Sequence, residues 1–301
     1  MTDSEAFVAF NLADSIGSVG VGELAERFGG VAAAWEAYSS RKSRTGGVVD
    51  VKAEFDKARS LGVSIVTPAD ESYPETLRSV RGHPLALYVR GSTAVLSRPS
   101  VAIVGTRRAT AYGLDMAEGM ARDLAQAGWC IVSGLALGID AAAHRGALSA
   151  GGGTVGVLGS ALDRFYPEEN LGLAREMAER GGAVVSEFPF GREADTQTFP
   201  QRNHVVAALA SGVVAVEAPT KSGTLITTSI AADIGRTVMA VPGRVDAPRS
   251  AGCLRLIRDG AVLVRGATDV AEALSELFPR EAKGAPARPS VLCVRMKRPK
   301  P

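Results

Sequence analysis

Short apolar runs alternate with stretches of helical periodicity over most of this chain. Each run is four or five residues long and rich in Val, Ala and Ile. Such runs, bounded by turns and separated by helices, are typical of a parallel sheet covered on both faces. The predicted strands are 101–104, 130–133, 154–158, 183–186, 213–217, 237–241 and 261–264, and the predicted helices are 112–127, 138–149, 168–180, 202–210, 224–235, 252–259 and 268–277. The expected fold is a doubly wound, Rossmann-like α/β domain with a mostly parallel sheet.

The first 46 residues have a helical pattern that glycines interrupt. The turn Gly17–Gly22, which stands between two apolar helical stretches, has two interpretations. It resembles a helix-hairpin-helix turn, whose backbone amides contact DNA phosphate. It is equally typical of a small helical bundle closed by glycine caps. The turn lacks basic residues, which favours the bundle.

Changes of composition and breaks at Gly and Pro give the domain organisation. A small helical domain (SAM-like or helix-hairpin-helix-like) is expected at 1–46. A connecting segment at 47–95, with candidate strands at 63–67 and 85–89, leads into the sheet. The Rossmann-like domain follows at 96–278, and a basic, disordered tail at 279–301.

The net charge of +2 comes from the end of the chain. From Arg280 onward there are seven Lys or Arg and one acidic residue, and the remaining 27 basic and 31 acidic residues leave −4 for residues 1–279. A polyanion would therefore need a local basic patch on the folded body. No apolar run approaches the length of a membrane span, and the acidic N-terminus is unlike a signal peptide. The three widely spaced cysteines (130, 253 and 293) indicate reduced thiols. A cytoplasmic protein without membrane contact is therefore expected.

Three turns at the ends of predicted strands carry small, hydroxyl or basic residues. They are Gly105–Arg108, Ser133-Gly134 and Lys221–Thr224. The carboxyl ends of parallel strands form the ligand crevice of an open sheet, and helix N-termini there favour anions. A phosphate site is therefore expected. The alternatives are a solvated turn for the first and an ordinary helix N-cap for the third.

Other polar residues leave the chemistry open or point away from catalysis. Arg202 and Asn203 suit a phosphate or a base edge, but Arg202 could equally pair with a carboxylate. Asp140 and His144 are four residues apart on one helix face, which favours an Asp–His hydrogen bond over a metal site. The dinucleotide fingerprint and a nucleophile elbow are both missing. No catalytic residue, metal or cofactor is expected.

Seven ordered motifs resemble the DprA (Smf) family of DNA-processing proteins from about Tyr73 to Leu274. They are VAIVGTRRATAYG, SGLALGIDAAAHRGAL, TVGVLGSALDRFYPEEN, SEFPFG, FPQRNHVVAAL, VVAVEAPTKSGTLITTSIAADIGR and AVPG. The resemblance implies an extended Rossmann fold that binds single-stranded DNA and forms homodimers. It also implies loading of the RecA recombinase in natural transformation, with protection of incoming strands and displacement of single-strand-binding protein.

The resemblance places Arg107 on the DNA backbone and Leu254 and Ile257 in the region of the dimer contact. Base stacking has few candidates, namely Phe165, Tyr166 and Phe199. Together with the basic residues identified above, the expected DNA-binding set is Gly105, Thr106, Arg107, Arg108, Ser133, Gly134, Arg164, Arg202, Asn203, Lys221, Ser222, Gly223 and Thr224.

Three departures from the family pattern stand out. Glu168 replaces a lysine that contacts DNA in some members, and Arg164 or Arg175 is the candidate compensation. His204 replaces an arginine, and a basic tail stands where many members have a winged helix.

Two other functions remain as alternatives on the same crevice. The first is an enzyme like the cytokinin-activating phosphoribohydrolases, but Thr227 stands where they carry a catalytic glutamate. The second is a sensor that binds a small nucleotide.

Overall fold

The structure is a computed structural model and describes residues 1–42 and 49–275, so the predicted tail and Cys293 lie outside it. In the described residues nine strands form one sheet in the order β1-β2-β6-β5-β4-β3-β7-β8-β9. The strands are β1 Ser64–Val66, β2 Leu87–Gly91, β3 Ser100–Val104, β4 Cys130–Ser133, β5 Thr154–Val157, β6 Ala183–Ser186, β7 Gly212–Ala215, β8 Thr237–Ala240 and β9 Val262–Leu263.

The seven strands from β3 to β9 are parallel, and their order reverses once. The chain adds β4, β5 and β6 on one side of β3, then returns to place β7, β8 and β9 on the other. β3 and β7 are therefore adjacent strands whose following connections leave the sheet in opposite directions. In doubly wound sheets the ligand crevice lies outside the carboxyl ends of two such strands. The predicted α/β, mostly parallel fold is confirmed.

Twelve α-helices accompany the sheet in the described residues. They are α1 Asp3–Ala13, α2 Ser18–Phe28, α3 Val31–Lys42, α4 Val51–Ser60, α5 Glu75–Arg78, α6 Ala111–Gln126, α7 Ile139–Ser149, α8 Leu171–Glu179, α9 Thr198–Leu209, α10 Gly223–Asp233, α11 Ala251–Arg258 and α12 Ala267–Ser275. None of these described helices is long and apolar enough to span a bilayer.

Two apolar cores cover the two faces of the sheet. On one face α6, α7 and α12 pack against side chains such as Ile103 and Val214. On the other face α9 and α10 pack against Val132 and Val213. Val, Ala and Ile run continuously through the central strands because both faces are buried.

The first 95 residues join this domain at its edge. β1 and β2 pair antiparallel with each other, and β2 pairs antiparallel with β6, so the segment predicted as a connection adds two strands to the sheet. Helices α1 to α3 form a bundle around the fully buried Phe10, whose ring lies 5.0 Å from the ring of Trp35 in an edge-to-face arrangement. The predicted N-terminal helices are present, and Leu85 links their core to the sheet domain.

Helix α9 begins four residues before the predicted start at 202. The cause is Asp195, whose Oδ1 accepts hydrogen bonds from the N–H groups of Gln197 and Thr198. Pro200 lies in the first helical turn, where its missing N–H is not needed. The earlier start brings Phe199 into the helix.

Candidate functional site

A crevice of about 350 Å³ opens at the carboxyl ends of β3 and β7. Three predicted turns and the first two turns of α9 form its walls. Most of the expected binding residues line it, namely Gly105, Thr106, Arg107, Arg108, Gly134, Arg202, Asn203, Lys221, Ser222, Gly223 and Thr224. Residues that are more than a hundred positions apart in the sequence therefore meet in one place.

The turn Gly105–Arg108 is held tightly against the start of α7. A Cβ at Gly105 would lie 2.5 Å from Cγ1 of Ile139, and Gly138, at φ +78°, leaves room for the carbonyls of Thr106 and Arg107. The N–H of Thr106 donates to the carbonyl of Glu217 (2.8 Å). Only glycine fits such close approaches and such a φ. The backbone is thus fixed while the side chains of Arg107 and Arg108 remain exposed.

The N-terminus of α6 is already occupied by a protein carboxylate. Glu217 is 4% exposed, and its two oxygens accept from the N–H of Thr110 (2.9 Å) and from its hydroxyl (2.5 Å). The hydroxyl of Thr110 in turn accepts from the N–H of Gly113 (3.1 Å). At this turn an anion would therefore meet the arginine side chains rather than a free helix end.

The N-terminus of α10 is open. Its N-cap residue, Ser222, makes no side-chain cap hydrogen bond, and the Ser222 Oγ is buried without a partner in the described residues. Within that part of the chain no protein group accepts from the N–H of Gly223 or Thr224. Unpaired N–H groups and the helix dipole favour an anion at this end. Lys221 is exposed beside it and adds a full positive charge.

Arg202 lines the crevice floor but is almost entirely buried. Its side chain is 93% buried, and its Nη1 donates to the carbonyls of Gly134 and of Val157 (2.9 Å). These carbonyls follow β4 and end β5, so the guanidinium ties two strand ends together. The Nε of Arg202 donates to Oδ1 of Asn203 (3.1 Å), so its hydrogen bonds in the described residues are to protein groups. The expectation that it binds phosphate or a base stays a prediction. Burial lowers the pKa of Arg202, while the nearby Asp140 carboxylate raises it.

Asp140 and His144 do not bond to each other, contrary to expectation. Asp140 Oδ2 accepts from the N–H groups of Gly134 (3.1 Å) and Ala136 (3.4 Å), and it shapes the turn after β4. Nδ1 of His144 instead pairs with the hydroxyl of Thr154 (2.7 Å). Burial lowers the pKa of His144 to about 3, with the charges of Arg145 and Arg202 as smaller causes. The imidazole is neutral at physiological pH.

An aromatic wall borders the crevice next to Arg107. The Arg107 Cζ lies 5.0 Å from the ring centroid of Phe199, and that centroid is 6.1 Å from the ring of Tyr166, which is 48% exposed. Leu137 and Pro167 complete a small apolar recess there. Phe165 lies elsewhere, packed against a core cluster that includes Ala58 and Met177.

Some expected residues lie outside the crevice. The Ser133 side chain is fully buried, and its Oγ donates to the carbonyl of Ile103 (2.6 Å). Arg164 and Glu168 are exposed and line neither the crevice nor the aromatic recess. Among residues 1–42 and 49–275, no group of three or more His, Cys, Asp or Glu side chains could hold a metal. Cys130 is buried in β4 as expected, and burial raises its pKa to about 12.

The exposed cations of the crevice form no ion pair with a carboxylate of the described residues. In the described residues ten Lys or Arg side chains form ion pairs with carboxylates. Arg107, Arg108 and Lys221 are not among them, so their charges remain available to a ligand. A fourth unpaired cation, Arg249, lies beside Arg108, to whose carbonyl its Nε donates (2.5 Å). Sequence reasoning missed it, although it closely follows the AVPG motif.

Comparison with known proteins gives close relatives. The chain is 37% identical over 219 residues to the DNA processing protein DprA of Bacillus subtilis. This match covers 72% of this chain and 73% of that protein. It is 40% identical over 208 residues to the Smf protein of Escherichia coli, with 69% of this chain and 56% of that protein covered.

Two solved structures are similar in fold. The X-ray structure of DprA from Streptococcus pneumoniae matches with a TM-score of 0.77 and 32% identity, over 90% of this chain and 98% of that one. A structure of DNA processing protein A from Helicobacter pylori, described for its single-stranded-DNA binding mode, matches with a TM-score of 0.65 and 30% identity, over 72% and 97%. The family model for DNA recombination-mediator protein A matches residues 64–275. The chain therefore belongs to the DNA recombination-mediator protein A family, that of the DprA and Smf proteins.

Proposed function

We propose that the crevice binds single-stranded DNA by its phosphates. The observation that carries this proposal is the meeting of three unpaired cations with an open helix N-terminus at the reversal of strand order. Several separate anion-binding elements suit an extended phosphodiester chain better than one isolated anion. The single-stranded-DNA binding mode described for the Helicobacter pylori relative supports the same assignment.

The proposed role is binding rather than catalysis. Among the described residues Asp140 is the sole carboxylate that lines the crevice, and its Oδ2 is engaged by two backbone N–H groups. Thr227, at the position of the phosphoribohydrolase glutamate, is 3% exposed, and its hydroxyl donates to the carbonyl of Gly223 (3.3 Å). Neither group is placed to act as a general acid or base on a bound ribose.

Family membership supports a proposal for the biological setting. We propose that the protein acts in the cytoplasm during natural transformation, protects incoming strands and loads a RecA-type recombinase, with single-strand-binding protein as a further partner. Dimerisation is proposed through α11, where Leu254 is half-exposed and Ile257 packs partly against its own core. Two linked crevices would strengthen binding to long strands by avidity.

Fluorescence anisotropy with labelled single-stranded and duplex oligonucleotides tests the binding proposal. Arg107→Ala should weaken single-strand binding about 10- to 100-fold, since a hydrogen bond to a charged group contributes about 1.5–3 kcal/mol. Arg122→Ala is the matched control, because Arg122 is exposed on α6 and paired with Asp123. Equal binding by wild type and Arg107→Ala would place the activity outside the crevice.

Titration with a mononucleotide distinguishes single-stranded-DNA binding from the sensing of a small nucleotide. A DNA-binding crevice should gain affinity from mononucleotide to oligonucleotide, because each added phosphate adds a contact. A nucleotide sensor would bind the mononucleotide as tightly as the longer ligands, and that result would contradict the proposal.

A further inference from the structure

The backbone of Arg249 is fixed to the segment that follows β7. Its carbonyl accepts from the N–H of Ala218 (2.8 Å), and the N–H of Gly252 donates back to the carbonyl of Ala218 (2.8 Å). A Cβ at Gly252 would lie 2.5 Å from that carbonyl oxygen, so only a glycine allows the start of α11 to approach Ala218 this closely. The loop that carries Arg249 is therefore held beside the segment that leads to Lys221.

The side chain of Arg249 reaches the other anion-binding turn. Its Nε donates to the carbonyl of Arg108 (2.5 Å), and no carboxylate or carbonyl in the described residues accepts from its two Nη groups. Arg244, on the same loop, has the opposite arrangement: it forms a bidentate pair with Asp246 at 2.9 and 2.7 Å. Two exposed arginines of one loop thus differ in whether their charge is neutralised.

Arg108 and Arg249 carry two unpaired guanidinium groups, one at the crevice mouth and one beyond it. Arg108 lines the crevice mouth, whereas Arg249 does not line it and is exposed on the side of α11. Guanidinium N–H groups in a fixed fork match the oxygens of a phosphate. The Nε hydrogen bond to the Arg108 carbonyl restrains the Arg249 side chain and leaves its two Nη groups for a ligand.

We propose that Arg249, with Arg108, forms a second phosphate subsite that takes a phosphodiester group of the same strand as it leaves the crevice toward α11. This inference rests on the proposed DNA binding and adds the direction in which the strand leaves. The ligand is the backbone phosphate, so the subsite acts on any base sequence and only on strands longer than the crevice holds.

The salt dependence of binding measures the number of phosphates that the protein neutralises. For single strands the slope of log affinity against log salt changes by about 0.7 per phosphate. With a long single-stranded oligonucleotide, Arg249→Gln should therefore give a slope shallower by about 0.7 than wild type. Arg249→Lys, which keeps the charge, should retain the wild-type slope. Arg244→Gln is the matched control on the same loop and should leave the slope unchanged.

Ligand length separates a phosphate contact from a merely structural role. Calorimetric titration with a thymidine dinucleotide should give the same affinity for wild type and Arg249→Gln, because its one phosphodiester group cannot fill the crevice and the second subsite together. An unchanged salt slope at every length would overturn the subsite. Equal losses at every length in both Arg249 variants would also overturn it, because Arg249 would then only support the Arg108 turn. If Arg107→Ala bound DNA like wild type, the proposed crevice itself would fail and this inference with it.

Discussion

The guanidinium of Arg107 lies over the ring of Phe199, with 5.0 Å between Cζ and the ring centroid. The ring face attracts the cation and limits its motion, while no described carboxylate neutralises its charge. Arg107 follows β3 and Phe199 belongs to α9, so the contact joins the two walls of the crevice. Its strength depends on the early start of α9 described above.

Replacing Phe199 with leucine should weaken DNA binding without removing it. Leucine keeps most of the apolar volume but loses the cation–π contact, which contributes about 0.5–1 kcal/mol at an exposed site. The expected loss of single-strand affinity is about two- to fivefold by anisotropy, smaller than that of Arg107→Ala. A loss as large as that of Arg107→Ala would mean that the ring itself contacts DNA.

Replacing Arg202 with methionine should destabilise the fold. The change leaves the carbonyls of Gly134 and Val157 without their donor and removes the cation nearest to Asp140. The expected cost is about 3 kcal/mol in the free energy of unfolding, measured by urea titration. The exposed Arg164→Met is the control and should change stability by less than about 0.5 kcal/mol. An Arg202→Met protein with wild-type stability and no DNA affinity would show that Arg202 is a ligand residue.

Glu187 should make stability depend on pH. Burial raises the pKa of this carboxyl to about 7, and its Oε1 has no hydrogen-bond partner in the described residues. Between about pH 4.5 and 7 the folded state binds more protons at Glu187 than the unfolded state, so its ionisation costs stability as the pH rises through that range. Above pH 7 this loss is complete.

Glu187→Gln should remove that loss. The variant should be as stable as wild type near pH 5 and more stable by about 1–2 kcal/mol at pH 8. This gain is smaller than the full pKa shift would give, because the Glu187 side chain is only partly buried. Thermal or urea unfolding at the two pH values measures the difference. The exposed Glu193→Gln should show no such gain, and an equal gain in both variants would refute a specific role for Glu187.

Two helical glycines should respond oppositely to alanine. A Cβ at Gly146 of α7 would overlap the carbonyl oxygen of Glu118 and lie 3.0 Å from its Cα, because α6 and α7 touch at this point. Gly146→Ala should therefore cost about 1–3 kcal/mol. Gly119 of α6 meets only the end of Arg122 at 3.7 Å, so Gly119→Ala should stabilise by about 0.5–1 kcal/mol. Equal effects in thermal unfolding would contradict the close helix contact.

The fold could be predicted because the central strands are buried on both faces. Continuous Val, Ala and Ile runs such as Val101–Val104 mark such strands directly, and glycine-containing turns mark their ends. The crevice followed from topology, because the ends of parallel strands share one edge of the sheet. The candidate strands 63–67 and 85–89 were placed close to β1 and β2, but nothing local shows that these strands pair antiparallel and extend the sheet.

Side-chain partners were the part that sequence could not supply. The spacing of Asp140 and His144 puts them on one helix face, yet α7 is buried nearly all round and each residue meets a closer partner from another element. Arg202 was equally compatible with phosphate and with protein groups. Arg249 lay beyond sequence reasoning because its contact to Arg108 spans 141 residues and depends on the tight approach at Gly252.

The two outermost strands of the sheet are its shortest, with three residues in β1 and two in β9. An exposed strand edge is a template on which another chain can add its own strand, and long edges promote aggregation. Edges this short offer an incoming strand very few backbone hydrogen bonds. If copies of the protein assembled side by side on one DNA strand, they would therefore have little tendency to pair their sheet edges.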